Sequence, residues 1–282
     1  MTDTNSPVLE KKDSVLRMPQ AGRGRGMTVG QGEALRRPGP VNSGGDASRA
    51  KTIVESILKI KSPDDLQLQD LASEIKSTMN DEEELKWFVE ELCTQGLSER
   101  NCAPVAAKLF GLIAQHHAGE SKIRTLLLRR VQSEYAKKDD LAVSDWSHFV
   151  TSALFLGEVF YHVKSEQNTP FKVLAAPVLK YLEMIIEPNL NKDDNKNIDD
   201  DMIVVSRQIL LNGAVLHEAV PSGVLEVVQS VTKILCLCQL NTATRLNLLA
   251  ALAEMWPILD TNNDIRTQHA LLATSIGVSL DI

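Results

Sequence analysis

The chain has 282 residues, 43% of them hydrophobic but only 4% aromatic, and a net charge of −7. That length allows one large or two small domains with a core that needs no metal or disulfide staples. With few rings, Leu, Ile, Val and Ala must do the packing, which suits helices better than sheets.

No apolar run approaches the roughly 20 residues that span a bilayer, and no signal peptide opens the sequence. A reducing setting is expected, in the cytoplasm, with the nucleus also open and no membrane partner.

Residues 1–50 carry eight Lys/Arg against five Asp/Glu, whereas residues 51–282 carry 22 against 32. A basic arm therefore precedes an acidic body. The arm holds eight of the 15 glycines, four of the 11 prolines and no aromatic residue. It cannot bury enough apolar surface to offset its ordering entropy, so residues 1–50 are expected to be a disordered Arg/Gly/Pro-rich tail. Its Gly22-Arg23-Gly24-Arg25-Gly26 run, with Arg36 and Arg37, is the candidate RNA contact, against the alternative of a plain solvated tail.

From residue 51 to 282 the spacing predicts a folded helical domain. Ser62-Pro63-Asp64-Asp65 reads as a helix start, with Leu68, Leu71, Ile75 and Met79 on one face. A second helix starts at Asp81 and is expected to stop at Gly96; Ser98 is the expected cap of a third, which carries Cys102, Val105, Ala106, Leu109, Phe110 and Ile113 inward. Further helices are expected over 121–138, 144–164, 171–187, 199–217, 222–238 and 242–259, with a last one near 265–279. Pro177 should kink or reset its helix, and Asn189–Asp201 reads as a solvated acidic loop whose last acids favour the N-terminus of the helix that follows. Taken in pairs, the helices form hairpins starting near 81, 121, 171 and 222. Such a period predicts an all-α, HEAT-like solenoid of about five hairpins, with a compact bundle as the alternative.

Catalytic signals are missing. The six histidines are scattered, His116-His117 being read as a cationic tip after a helix, and no HExxH, GxSxG or phosphate-loop motif occurs. Cys93, Cys102, Cys236 and Cys238 form no CxxC pair and read as buried, reduced thiols. No enzyme activity, cofactor or metal site is expected.

The segment Ile123–Tyr135, IRTLLLRRVQSEY, is the most informative. On a helical wheel centred on Leu127, the residues Ile123, Val131 and Glu134 fall within about 40°, and Leu126, Leu128 and Tyr135 widen the arc to about 200°. Such a helix packs on more than one neighbour. Arg124 and Arg130 lie at the edges of that arc and should pair with acids, Glu134 standing one turn after Arg130. Arg129 points outward and, with Lys137 and Lys138, makes the candidate partner surface.

This segment, Trp146 with FVTSALFLGEVFYHV (149–163), TPFKVLAAPVLKYL (169–182) and VAAKLFGLI (105–113) resemble the middle domain of eukaryotic initiation factor 4G. The likeness spans roughly 51–260. It is nearest to that family's stand-alone members, which depend on the cap-binding complex or meet the histone stem-loop-binding protein. The resemblance implies a crescent of hairpins that docks initiation machinery: a DEAD-box helicase, subunits of the large initiation complex, or cap-, stem-loop- or poly(A)-associated proteins. The poly(A)-binding member uses a tail motif with an essential Phe; residues 1–50 contain none, which sets that partner behind the others. The expected function is a non-catalytic adaptor in translation initiation, with a homodimer left open; the alternative is an RNA-binding module that uses the arm and the basic patch.

Overall fold

The structure, a computed structural model, describes residues 46–59, 64–190 and 197–259, all within the unit Ser43–Ile282. Arg23, Arg25, Arg36, Arg37, the expected disorder of residues 1–45, Ser62-Pro63, Asp193-Asp194 and the helix expected near 265–279 lie outside the described residues, whereas residues 46–50, expected in the tail, are helical, with Ala50 buried.

Within these bounds the chain is an all-α solenoid of hairpins. The helices α1 (Asp46–Lys59) and α2 (Asp65–Thr78) make the first pair, and α3 (Glu82–Ser98) and α4 (Cys102–Ile113) the second. The third joins α5 (Ile123–Tyr135) to α7 (Trp146–His162) through the short α6 (Lys138–Ser144). Then come α8 (Ala175–Leu190) with α9 (Asp199–Ala219), and α10 (Pro221–Leu237) with α11 (Thr242–Leu259). The second helices stack in series, α2 on α4, α4 on α7, α7 on α9 and α9 on α11. Among the first helices, α1 packs on α3, α3 on α5 and α8 on α10. Contact from each hairpin to the next is what distinguishes a stack of repeats from a bundle.

Acidic caps start several helices. Asp64 accepts from the Gln67 N–H at 2.7 Å, Asp81 from Glu84 at 2.9 Å and Asp145 from His148 at 3.0 Å. Pro177 does reset its segment without kinking it: a 3-10 turn at Lys172–Leu174 gives way to α8, and the proline falls in the first turn of α8, where a missing N–H costs nothing. A two-residue antiparallel pair, His117-Ala118 (β1) with Ser121-Lys122 (β2), leads into α5; Gly119, with φ of 56°, supplies its left-handed turn residue.

Several expectations need correcting. Gly96 does not stop α3 but lies inside it, where a Cβ would come within 2.7 Å of the Phe155 ring. Ser98 is the last residue of that helix, bonded to the Thr94 carbonyl, and Asn101 precedes α4 instead. His116 does follow α4, its N–H bonding the Ile113 carbonyl at 2.8 Å, but its ring donates to the Met79 carbonyl, 2.7 Å away at the end of α2, rather than to its own helix. Of the cysteines only Cys93 is buried, Cys102 and Cys238 being half-buried and Cys236 exposed. Burial pushes the Cys93 thiol up, away from reactivity.

Asp201 lies in the first turn of α9, as the helix expected over 199–217 requires, but it is buried rather than solvated. It accepts from the Trp146 indole at 2.9 Å and the Asn189 amide at 3.4 Å, with Arg100 3.8 Å away.

The core is continuous through the stack. The helix α7 is buried on nearly every side, from Phe149 to Phe160, and Phe155 meets Phe110 of α4 edge-on at 6.5 Å. The wheel drawn for α5 holds: Ile123, Leu127, Val131 and Glu134 are buried, and the helix packs on α3, α4 and α7.

Candidate partner-binding groove

The first helices of the second and third hairpins, α3 and α5, meet along an open groove of about 530 Å³. Its apolar floor is the buried Val89 of α3 and the half-buried Leu126 of α5. The walls carry Lys86 and Glu90 from α3, and Arg129, Arg130, Ser133 and Lys137 from α5 and the turn behind it. Arg129, singled out by its outward direction on the wheel, and Lys137, named with it, thus share one cleft. Lys138 does not line it; its ammonium bonds Asp139 at 2.8 Å and sits 4.9 Å from the centre of the Tyr135 ring.

A single buried carboxylate organises the basic wall. Glu134 accepts from Arg130 at 2.7 Å, lies 3.7 Å from the Lys137 ammonium, and meets His148 of α7 at 2.6 Å. Burial pushes its carboxyl up, but hydrogen bonds from Arg130 and His148 and the charges of Arg130 and Lys137 outweigh that, leaving it below the usual carboxylate range. Arg130 also bonds Glu90 across the groove at 2.9 Å, so its guanidinium staples α5 to α3. For Arg130, burial alone would lower the pKa; Glu134 and Glu90 reverse that and hold the guanidinium charged.

The cations differ in how fully they are satisfied. Lys86 bonds Glu83 at 2.8 Å and Glu82 at 3.0 Å. Arg124 behaves as its edge position on the wheel requires, pairing with Glu166 at 3.1 Å away from the groove. Arg129 makes no ion pair among the described residues and is exposed. It is the one groove cation whose charge is left for something else.

Sequence reasoning missed the α3 half of the groove. Lys86, Val89 and Glu90 sit about 40 residues from their α5 partners, and no local spacing announces such a pairing. A second cleft of about 250 Å³, between α8 and α10, is acidic instead, with Glu183, Glu187 and Glu226 around Ile186 and Val227. Among the described residues no three His, Cys, Asp or Glu side chains gather as metal ligands, and no helix is long and apolar enough to cross a membrane.

No family model matches the chain. It is similar to the CBP80/20-dependent translation initiation factor of Xenopus tropicalis, 28% identical over 188 residues, which are 65% of this chain and 31% of that protein. It is also similar to polyadenylate-binding protein-interacting protein 1 of Xenopus laevis, 25% identical over 151 residues, or 51% of this chain and 32% of the relative. The matched part spans about a third of the length of either relative. Both carry the kind of name that the segments between residues 105 and 182 lead one to expect, and the chain is similar to translation factors of this kind over part of their length.

Proposed function

We propose that this chain is a non-catalytic adaptor in messenger-RNA translation, a HEAT-type stack that binds translation factors in the groove between α3 and α5. The observation that carries the reading is Arg129, an exposed guanidinium without an ion pair among the described residues, standing above an apolar floor in a cleft walled by two hairpins. The names of the two relatives supply the process. The candidate partners are the DEAD-box helicase, subunits of the large initiation complex, and cap-, stem-loop- or poly(A)-associated proteins. Such an adaptor raises the local concentration of one factor near another and needs no chemistry of its own. A cytoplasmic site of action goes with this reading. A second reading, RNA binding through the arm, rests on the excess of Arg and Lys in residues 1–50, notably Arg23, Arg25, Arg36 and Arg37.

The test is affinity capture by the full chain after RNase treatment, beside two variants. Arg129→Glu should leave the melting temperature unchanged and lose translation factors, because the side chain is exposed and has no ion pair to break among the described residues. Leu127→Ala should behave oppositely, destabilising the fold by about 2–5 kcal/mol through a core cavity, since Leu127 is fully buried. Capture that depends on intact RNA, or an Arg129→Glu chain that retains every factor, would exclude the groove as the docking site.

A further inference from the structure

Resting on that reading, the groove also indicates what kind of segment it takes. We infer that it binds a short acidic and apolar stretch of a protein partner, with one carboxylate pairing with Arg129 and one apolar side chain entering between Val89 and Leu126.

Three observations converge on this occupant. The first is the charge balance at the site. Lys86 is shared between Glu82 and Glu83, Arg130 between Glu90 and Glu134, and Lys137 faces Glu134. Arg129 alone offers a guanidinium with all its donors open, and its planar fork matches a carboxylate. One unspent cation calls for one anionic group.

The second is the floor. A cleft lined by Val89 and Leu126 gains from an aliphatic or aromatic side chain, and neither residue gives a sugar or a phosphate anything to bond.

The third is the surrounding field. Glu90 lines the groove, Glu82 and Glu83 hold the ammonium of its Lys86, and residues 51–282 carry 32 acids against 22 bases. A polyanion must bring many phosphates toward that rim, and its affinity depends on clustered, uncompensated Lys and Arg. A short peptide places a single carboxylate at contact distance and keeps the rest of its length clear.

The experiment is selection of random 12-residue peptides displayed on phage against the full chain, followed by fluorescence anisotropy of the enriched peptides and of a 12-nucleotide oligouridylate. Enriched sequences should place an Asp or Glu three or four positions from a Leu, Ile or Phe. Arg129→Glu should weaken them by about tenfold or more, and exchanging the peptide's acid for Lys should restore binding to that variant. A merely structural Arg129 could not produce this charge-swap rescue. Enriched peptides that need Arg129 but are basic or purely apolar would overturn the inference while leaving the groove as the docking site. Oligouridylate binding that needs Arg129 and falls steeply with salt would overturn it in favour of RNA at the same place. Peptides indifferent to Arg129, or no enrichment at all, would overturn it as well, and indifference in both this assay and the affinity capture would remove the groove itself.

Discussion

A Cβ placed on Gly111 would stand 2.7 Å from the carbonyl oxygen of His162, at the end of α7. The obstacle is backbone, which cannot swing aside as a side chain can. Alanine is the better helix former by about 1 kcal/mol, but forced overpacking costs about 1–3 kcal/mol. Gly111→Ala should therefore lower the stability measured by urea denaturation by about 1 kcal/mol, and by about 2 at most. An unchanged or higher midpoint would mean that α4 and α7 can part without cost. This close approach was invisible in the sequence, as was that of Gly96 to Phe155, because each glycine's reason lies on a helix some 50 residues away. The pairing of Arg130 with Glu134 was legible because both sit on one helix, four residues apart. Asp201 shows the opposite: it reads as one acid in a polar run, and only Trp146 and Asn189, brought to it by the fold, make it a buried acceptor.

Helix is tied to helix by two buried carboxylates. Glu134 joins α5 to α7 through His148, and to α3 by way of Arg130 and Glu90. Glu158, fully buried on α7, is gripped by two of the three guanidinium nitrogens of Arg207 on α9, Nε and Nη2, the latter at 3.1 Å, with His162 3.6 Å away. Burial pushes Glu158 up, but hydrogen bonds from His162 and Arg207 and the Arg207 charge hold its carboxyl below the usual range. A carboxylate whose folded pKa lies below its unfolded value adds stability that is fully present above the unfolded value, and that stability is lost as pH falls through the folded one. With a reference near 4.5 for both, the melting temperature should hold above that pH and drop steeply beneath it. Glu158→Gln should flatten the drop; an equally steep acid limb in that variant would remove Glu158 from the account. The elements themselves were largely legible, since periodicity and acidic caps predict 242–259 to the residue and most other helices within a few. The caps at Gly96 and Ser98 misled because a small or hydroxyl residue inside a helix looks the same in sequence as one at its edge.

At the scale of the whole stack, each hairpin leans on its neighbours, so the middle helices are held from both sides and the outer ones from one. Native-state hydrogen exchange should find the greatest protection in α4 and α7 and the least in α1 and α2. Uniform protection across all of these would mean that the described helices open only together. What could not be read ahead was the groove, a product of two hairpins meeting rather than of either alone. That origin matters. Whatever settles between Val89 and Leu126 bridges a joint, touching the second hairpin with one side and the third with the other. Its grip then depends on the angle at that joint, and by thermodynamic reciprocity filling the joint resists any bending there. Occupancy and posture are in that sense one variable, so tension applied to the stack by one bound factor would be felt as a change of affinity by another.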